Sequence, residues 1–147
     1  MLNVWIDGAC EIMAQNTASY GLVVKRGYTP LIQTYKVIGH GQGMSNNVAE
    51  YGALLAFFGW YSSYAKEYDN SDDKEHVIIH SDSQLLINQM NRKWKATSGM
   101  YLQYYKSALL LTQDYKNIEF KWIPREENTE ADALSKRALY DIGIVTK

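Results

Sequence analysis

Four acidic residues stand where predicted strands and helices begin or end. Asp7 closes the apolar run LNVWID, and Asp82 closes the run HVIIHSD. Glu50 lies in the first turn of a predicted helix, in SNNVAEYGALL, and Asp132 in the first turn of another, in REENTEADALS. Carboxylates that lie close together repel one another, and their burial is costly without a counterion. If these elements converge, the four acids predict a cation site.

The remaining residue types narrow the kind of cation. Three histidines and one cysteine are scattered along the chain and give no zinc spacing. Oxygen-only ligands are typical of Mg²⁺ or Mn²⁺. Two such ions, about 4 Å apart, can activate a water and stabilise the leaving oxygen in phosphodiester cleavage. We therefore expect two Mg²⁺ or Mn²⁺ ions, which would also supply positive charge that a chain of net charge −1 lacks for nucleic acid.

Each acid also has an ordinary structural explanation. Asp7, followed by Gly8, is compatible with a turn. The other acids match helix-capping patterns: Asp82 or Ser83 alone, Asn47 with Glu50, and Thr129 with Asp132. These explanations are reasonable one at a time, but they do not explain why all four acids stand at ends that could converge.

Hydrophobic periodicity predicts an α/β fold. The predicted strands are 2–7, 19–26, 32–39, 76–81 and 117–123, and the predicted helices are 47–65, 83–93, 100–115 and 128–141. Residues 66–76 are polar and predict a loop. This order predicts three antiparallel strands, then parallel strands joined by right-handed crossovers, in one mixed sheet flanked by helices. Ligands of such sheets gather beyond the carboxyl ends of the parallel strands.

Length and composition bound the remaining possibilities. The 147 residues suit one domain, spanning 1–147. No apolar run reaches the roughly 18 residues of a membrane span, and the N-terminal MLNVWIDG does not match a secretory signal. The single cysteine, Cys10, has no internal disulfide partner, so a reducing, cytoplasmic setting is expected. We also expect a monomer.

Over nearly its whole length the sequence resembles ribonuclease H of type 1. The matching segments are IDGAC at 6–10, SYG at 19–21, SNNVAEYGALLA at 45–56, HSDSQLL at 80–86 and WIPREENTEADALSKRA at 122–138. Each is a weak signal alone, but the order and spacing make the set specific. The resemblance implies an RNase H-like fold with a five-stranded mixed sheet. It also implies cleavage of the RNA strand of RNA–DNA hybrids, with 5′-phosphate products.

The resemblance also implies site residues. The catalytic, metal-binding set would be Asp7, Glu50, Asp82 and Asp132, with the backbone of Gly8 as a further metal contact. The substrate contacts would be Asn46, Asn47 and Gln84 in the minor groove and the backbone of Ala9 and Cys10 at the sugar. Side-chain amides both donate and accept, which suits 2′-hydroxyls and base edges. Gly8 would let the backbone approach the sugar, because it has no side chain.

Two departures from the family pattern stand out. Many members carry a histidine in the loop before the last catalytic acid, and here that loop is PREENTEA. Arg125, Glu126 and Glu127 are candidates to replace it, although we interpret them as solvated loop charges.

The second departure is a reduced basic segment, NRKWKATSG, after the fourth predicted strand and its helix. Arg92, Lys93 and Lys95 around Trp94 either hold phosphates of the DNA strand or form a cationic helix end around a buried tryptophan. The tyrosines at 61, 64 and 68 and Trp60 are interpreted as packing residues.

Two other functions stay open at this point. The chain could be a nucleic-acid-binding module without catalysis, although binding alone does not need four acids. It could also be a related nuclease that acts on double-stranded RNA or DNA.

Overall fold

The first three strands of the computed structural model, which describes residues 1–68 and 74–145, form an antiparallel meander. The strands are β1 (Leu2–Glu11), β2 (Thr17–Arg26), β3 (Thr29–Gly39), β4 (Val77–Ser81) and β5 (Ile118–Trp122). The helices are α1 (Asn46–Tyr68), α2 (Gln84–Met90), α3 (Leu102–Gln113) and α4 (Thr129–Asp141), with short 3₁₀ turns at Ile12–Ala14 and Arg125–Glu127.

The five strands form one mixed sheet in the order β3-β2-β1-β4-β5. β1 pairs with β4 in parallel, from Leu2 opposite Val77 to Trp5 opposite His80. β4 pairs with β5 in parallel as well. The predicted α/β architecture, three antiparallel strands followed by parallel ones, is therefore confirmed.

Some element boundaries differ from the prediction. β1 does not end at Asp7 but continues to Glu11, because its second half pairs with β2 as far as Thr17. Asp7 thus lies within a strand, opposite Gly21, and two residues beyond the last parallel pair with β4. α1 extends to Tyr68, so the predicted loop is shorter than expected, and its residues 69–73 lie outside the described part of the chain.

The core lies between α1 and one face of the sheet. Tyr51, Leu54, Phe57 and Tyr61 of α1 are fully buried, as their helical spacing predicts. Each such side chain contributes roughly 1.5–3 kcal/mol on burial. Trp60 and Tyr64 pack against this core while partly exposed, whereas Tyr68 is 69% exposed and its ring contacts Tyr64 at 5.3 Å outside the core.

Two glycines allow helices to approach opposite faces of the sheet. A Cβ on Gly8 would lie 2.4 Å from the backbone nitrogen of Glu50, and one on Gly21 would lie 2.2 Å from the carbonyl oxygen of Ala131. Gly21 pairs with Asp7, so successive side chains of β1 alternate between the α1 face and the α4 face. The space left by Gly8 is therefore occupied by α1, rather than being free for a sugar as we expected from the sequence.

No helix in residues 1–68 or 74–145 has the length and apolar character needed to cross a membrane.

Candidate active site

Asp7, Glu50 and Asp82 form a tight group of carboxylates at one end of the sheet. One oxygen from each of the three lies within 4.8 Å of the other two. Asp7 comes from β1, Glu50 from the second turn of α1, and Asp82 from the residue after β4. Asp7 is 5% exposed and Glu50 8% exposed. The group lies at the carboxyl end of β4 and just past the last parallel pair of β1 with β4, in the part of an α/β sheet where ligands bind.

Burial and mutual repulsion hold protons on this group. Burial, and then the charge of Asp82, raises the pKa of Asp7 to about 7. The pKa of Glu50 lies well above its ordinary value, because of burial and then the charge of Asp7. Burial also raises the pKa of Asp82, against the hydrogen bond from Asn128, which lowers it. The three groups are therefore poorly suited to being ionised together without a cation.

The donor set fits a divalent cation. Oε2 of Glu50 is buried and has no hydrogen-bond partner among the described residues. Asp7 Oδ1 accepts a hydrogen bond from the backbone N–H of Gly8 at 2.9 Å, which helps to fix the orientation of this carboxylate. Carboxylate oxygens are the ligands that Mg²⁺ and Mn²⁺ prefer. A cation here would relieve the repulsion and satisfy the unpaired oxygen.

Asp132 lines the same cavity but lies outside the tight group. It projects from the first turn of α4, and its charge also contributes to the raised pKa of Asp7. Its Oδ2 lies 3.1 Å from Nζ of Lys136, one turn further along α4. The structure thus brings three of the four predicted acids together and leaves the fourth beside them, paired with a lysine.

Four of the eight predicted substrate contacts line this cavity. Its volume is about 460 Å³, and its lining includes Gly8, Ala9, Cys10, Asn46 and Asn47. Gln84 does not line it and is exposed at the start of α2. The structure therefore brings the two asparagines to the acids but not the glutamine.

Helix capping does not account for the acids. Oγ of Ser45 accepts the N–H of Val48 at 3.2 Å, so Ser45 rather than Asn47 caps α1. Oγ of Ser83 accepts the N–H of Leu86 at 3.2 Å and caps α2. At α4, no side chain makes a capping hydrogen bond. The carboxylate of Asp82 is consequently available for another role.

The loop before α4 brings Arg125 to the cavity. Burial raises the pKa of Asp82, and the positive charge of Arg125 offsets part of that increase. Glu126 and Glu127 are exposed and do not line the cavity, in agreement with solvated charges. His80 does not replace the absent loop histidine, because it is buried, stacks on Trp5 and shares a hydrogen bond with the carbonyl oxygen of Val4.

The basic segment lies apart from the acids. α2 ends at Met90 rather than at residue 93, and Arg92 adopts a positive φ of 59°. Arg92, Lys93 and Lys95 are exposed, and Trp94 is 47% exposed, so the alternative of a buried tryptophan is wrong. Arg92, Trp94 and Lys95 line a groove of their own with Tyr105.

Sequence reasoning missed Asn128 and Lys136. Asn128 is 1% exposed and hydrogen-bonds Asp82, but in the sequence it is indistinguishable from an ordinary helix-start asparagine. The spacing of Lys136, four residues after Asp132, was a usable signal for an ion pair on one helix face.

Comparisons with known proteins agree with this fold. The family model described as "Reverse transcriptase-like" matches residues 71–138. The bifunctional protein Rv2228c of Mycobacterium tuberculosis is 31% identical over 129 residues, which cover 83% of this chain and 31% of that protein. The putative hydrolase EbsB of Enterococcus faecalis is 26% identical over 96 residues, covering 65% of this chain and 66% of that one. The chain thus spans about a third of the mycobacterial relative.

Solved structures extend the match to the whole fold. RNase H1 of the halophilic archaeon Halobacterium salinarum has a TM-score of 0.78 and 25% identity, over 95% of this chain and 98% of that one. LC11-RNase H1, solved with an RNA/DNA hybrid, has a TM-score of 0.82 and 25% identity, over 97% and 99%. The N-terminal RNase H domain of Rv2228c has a TM-score of 0.77 and 28% identity, over 93% and 97%. The fold, the family model and these relatives together show that the chain has an RNase H-like fold and is similar to type 1 ribonucleases H.

Proposed function

We propose that this protein is a metal-dependent endoribonuclease that hydrolyses the RNA strand of RNA–DNA hybrids and leaves 5′-phosphate products. The observation that carries the proposal is the convergence of Asp7, Glu50 and Asp82, whose oxygens lie within 4.8 Å of one another. Buried acids that repel one another are costly to the fold, so a module that only bound nucleic acid would gain nothing from them.

The acids of the cavity would hold two Mg²⁺ or Mn²⁺ ions. Asp7, Glu50, Asp82 and Asp132 would supply carboxylate ligands, and the backbone of Gly8 would be a further contact. The chemistry that bound ions would supply is activation of a water and stabilisation of the leaving oxygen of a phosphodiester. The role of the chain is to hold these carboxylates in fixed positions on β1, α1, β4 and α4.

The residues around the acids would orient the hybrid. Asn46 and Asn47 line the cavity beside Glu50, where their amides can bond 2′-hydroxyls and base edges of the minor groove. The strand segment at Ala9 and Cys10 would run along the sugar next to the scissile phosphate. Gln84 starts α2 just after Asp82, and we propose that it contacts the groove from outside the cavity.

The solved relative LC11-RNase H1 in complex with an RNA/DNA hybrid supports this substrate. We further propose that residues 1–147 act as one monomeric domain. A reducing, cytoplasmic setting is in keeping with the single cysteine, Cys10.

The direct test is an assay of strand cleavage. We expect the chain to cut the labelled RNA strand of a hybrid in Mg²⁺, to leave the DNA strand intact, and to stop in excess EDTA. Duplex RNA and duplex DNA of the same sequence are the matched substrates. Cleavage of either duplex at the rate of the hybrid would instead assign a related nuclease, and cleavage in excess chelator would contradict the metal site.

A further inference from the structure

Asn128 carries a buried amide that joins the elements bearing three of the acids. Its side chain is 1% exposed, and its Nδ2 donates to the carbonyl oxygen of Ile6 at 2.9 Å and to Oδ2 of Asp82 at 3.3 Å. The backbone carbonyl oxygen of Asn128 accepts the backbone N–H of Asp132 at 3.1 Å. One residue thus contacts β1 directly before Asp7, the carboxylate of Asp82, and the backbone of Asp132.

The orientation of this amide is determined by its partners. A backbone carbonyl only accepts hydrogen bonds, and an ionised carboxylate does the same, so the NH₂ group must face both oxygens. The other amide atom, Oδ1, is buried without a hydrogen-bond partner among the described residues. An unpaired buried acceptor destabilises a fold, which makes a purely stabilising role a poor explanation for this asparagine.

The contact restricts the carboxylate of Asp82. With Oδ2 held by Nδ2 of Asn128, rotation about the last side-chain bond of Asp82 would break a hydrogen bond, and Oδ1 is left for a ligand. The backbone of Asp82 is held as well, because its carbonyl oxygen accepts the indole N–H of Trp122 at 3.2 Å. Partners of this kind commonly set the orientation, and hence the affinity, of a metal-binding side chain.

We propose that Asn128 is a positioning residue, whose amide fixes the carboxylate of Asp82 and sets the position of α4 relative to β1, so that cation affinity depends on it. The inference rests on the proposed function in one respect, namely that the acids bind divalent ions.

The test is a calorimetric titration of Mn²⁺ into the protein without substrate. Asn128→Ser keeps a residue that is favoured at helix starts but cannot supply two amide donors. Asn128→Ala removes the polar group entirely. We expect both variants to bind Mn²⁺ about 10–100-fold more weakly than wild type. On hybrid substrate, kcat should fall while KM stays near that of wild type.

Gln89→Ala is the matched control, because Gln89 is also a fully buried amide but bonds the hydroxyls of Tyr51 and Tyr101 instead of an acid. It should lose thermal stability and keep its Mn²⁺ affinity. If Asp82→Asn loses Mn²⁺ binding but a folded Asn128→Ser protein binds Mn²⁺ as tightly as wild type, the positioning role of Asn128 is overturned and the proposed function is not. A wild-type protein that binds no Mn²⁺ overturns the proposed function together with this inference.

Discussion

Two buried polar clusters begin at neighbouring residues of α1, and they are built in opposite ways. Glu50 belongs to the acid group, where its Oε2 has no hydrogen-bond partner within residues 1–68 and 74–145 and its pKa is well above the ordinary value. Tyr51 belongs to an amide cluster, where its hydroxyl donates to Oε1 of Gln89 at 2.7 Å. The Nε2 of Gln89 donates to the hydroxyl of Tyr101 at 3.0 Å and to the carbonyl oxygen of Lys95 at 3.4 Å.

The two clusters have different roles in the protein. The amide cluster is uncharged, its hydrogen bonds are made within the chain, and the rings of Tyr51 and Tyr101 stack at 5.8 Å. Such a network contributes to the stability of the fold. The acids of the other cluster repel one another when they ionise, and Oε2 of Glu50 has no hydrogen-bond partner among the described residues, so this arrangement opposes stability until a ligand binds. The two clusters should therefore respond oppositely to substitution.

The largest effect is expected from removing an acid of the group. Asp7→Asn or Asp82→Asn should lower the rate of hybrid cleavage at least about 10³-fold, equivalent to roughly 4 kcal/mol, because an ion ligand is lost. The fold should persist, and without metal its stability should be unchanged or higher, since a repelling charge is gone. Asp114→Asn, at the exposed end of α3, is the control for loss of one acid. Near-normal turnover by either site variant in Mg²⁺ would contradict the assignment.

The second largest effect is expected in the pH dependence of the unfolding free energy, which should come from the acid group and not from the uncharged amide cluster. Asp7 has an ordinary pKa of 3.8 in the unfolded chain and about 7 in the fold, so the fold binds its proton more tightly. The contribution of Asp7 to stability is then fully present below about pH 4 and is lost as the pH rises through about 7, on the order of 2–4 kcal/mol. Chemical denaturation from pH 4 to 8 in EDTA measures this, and Mg²⁺ should reverse the loss at pH 8. A flat profile in EDTA would mean that the acids do not repel.

Substitution in the amide cluster should lower the unfolding free energy and leave the catalytic rate unchanged. Gln89→Leu removes both hydrogen-bonding ends of the amide and leaves the hydroxyls of the buried Tyr51 and the partly buried Tyr101 without this partner. The expected cost is about 1–3 kcal/mol of unfolding free energy, with kcat on hybrid close to that of wild type. Urea denaturation and a turnover assay on the same sample check it. A large loss of kcat in a folded Gln89→Leu protein would contradict the separation of roles between the two clusters.

The sequence predicted the acid group better than the amide cluster for a physical reason. An acid that ends an apolar strand, such as Asp82, contradicts its local pattern and is visible without any structure. Gln89 lies inside an ordinary helical sequence, and its burial depends on Tyr51 and Tyr101, which are distant along the chain. Side-chain partners that meet only in the folded chain leave no local signal.

The ends of strands and helices were also hard to predict from the sequence, because they depend on contacts between distant residues. The extension of β1 beyond Asp7 results from pairing with β2, and the early end of α2 coincides with the positive φ of Arg92. Neither feature follows from hydrophobic period. Most of the buried face of α1 was predictable from apolar residues at helical spacing between Val48 and Tyr61, although Ala49 and Ala53 are buried as well and Leu55 is only partly buried.

The smallest effect on turnover is expected at the basic segment, which the amide cluster holds through the carbonyl oxygen of Lys95. If Arg92, Lys93 and Lys95 contact phosphates, replacing all three with Ala should flatten the log–log salt dependence of hybrid binding by about two to three units. Affinity should fall equally for all sequences, and turnover at saturating substrate should change little. Arg137→Ala, which removes an exposed cation paired with Asp141, is the control. An unaltered salt slope in the triple variant would reduce the segment to a solvated helix end.

The central claim is that Asp7, Glu50 and Asp82 are under-bonded because a divalent cation completes them. The most direct measurement is calorimetric titration of Mn²⁺ at pH 6 in two buffers of different ionisation enthalpy, which counts the protons released on binding. Because the pKa of Asp7 is about 7 and that of Glu50 is well above its ordinary value, saturable binding should release about one proton or more per protein. Asp7→Asn should abolish most of this release. Binding without proton release, or binding that Asp7→Asn leaves unchanged, would contradict the account.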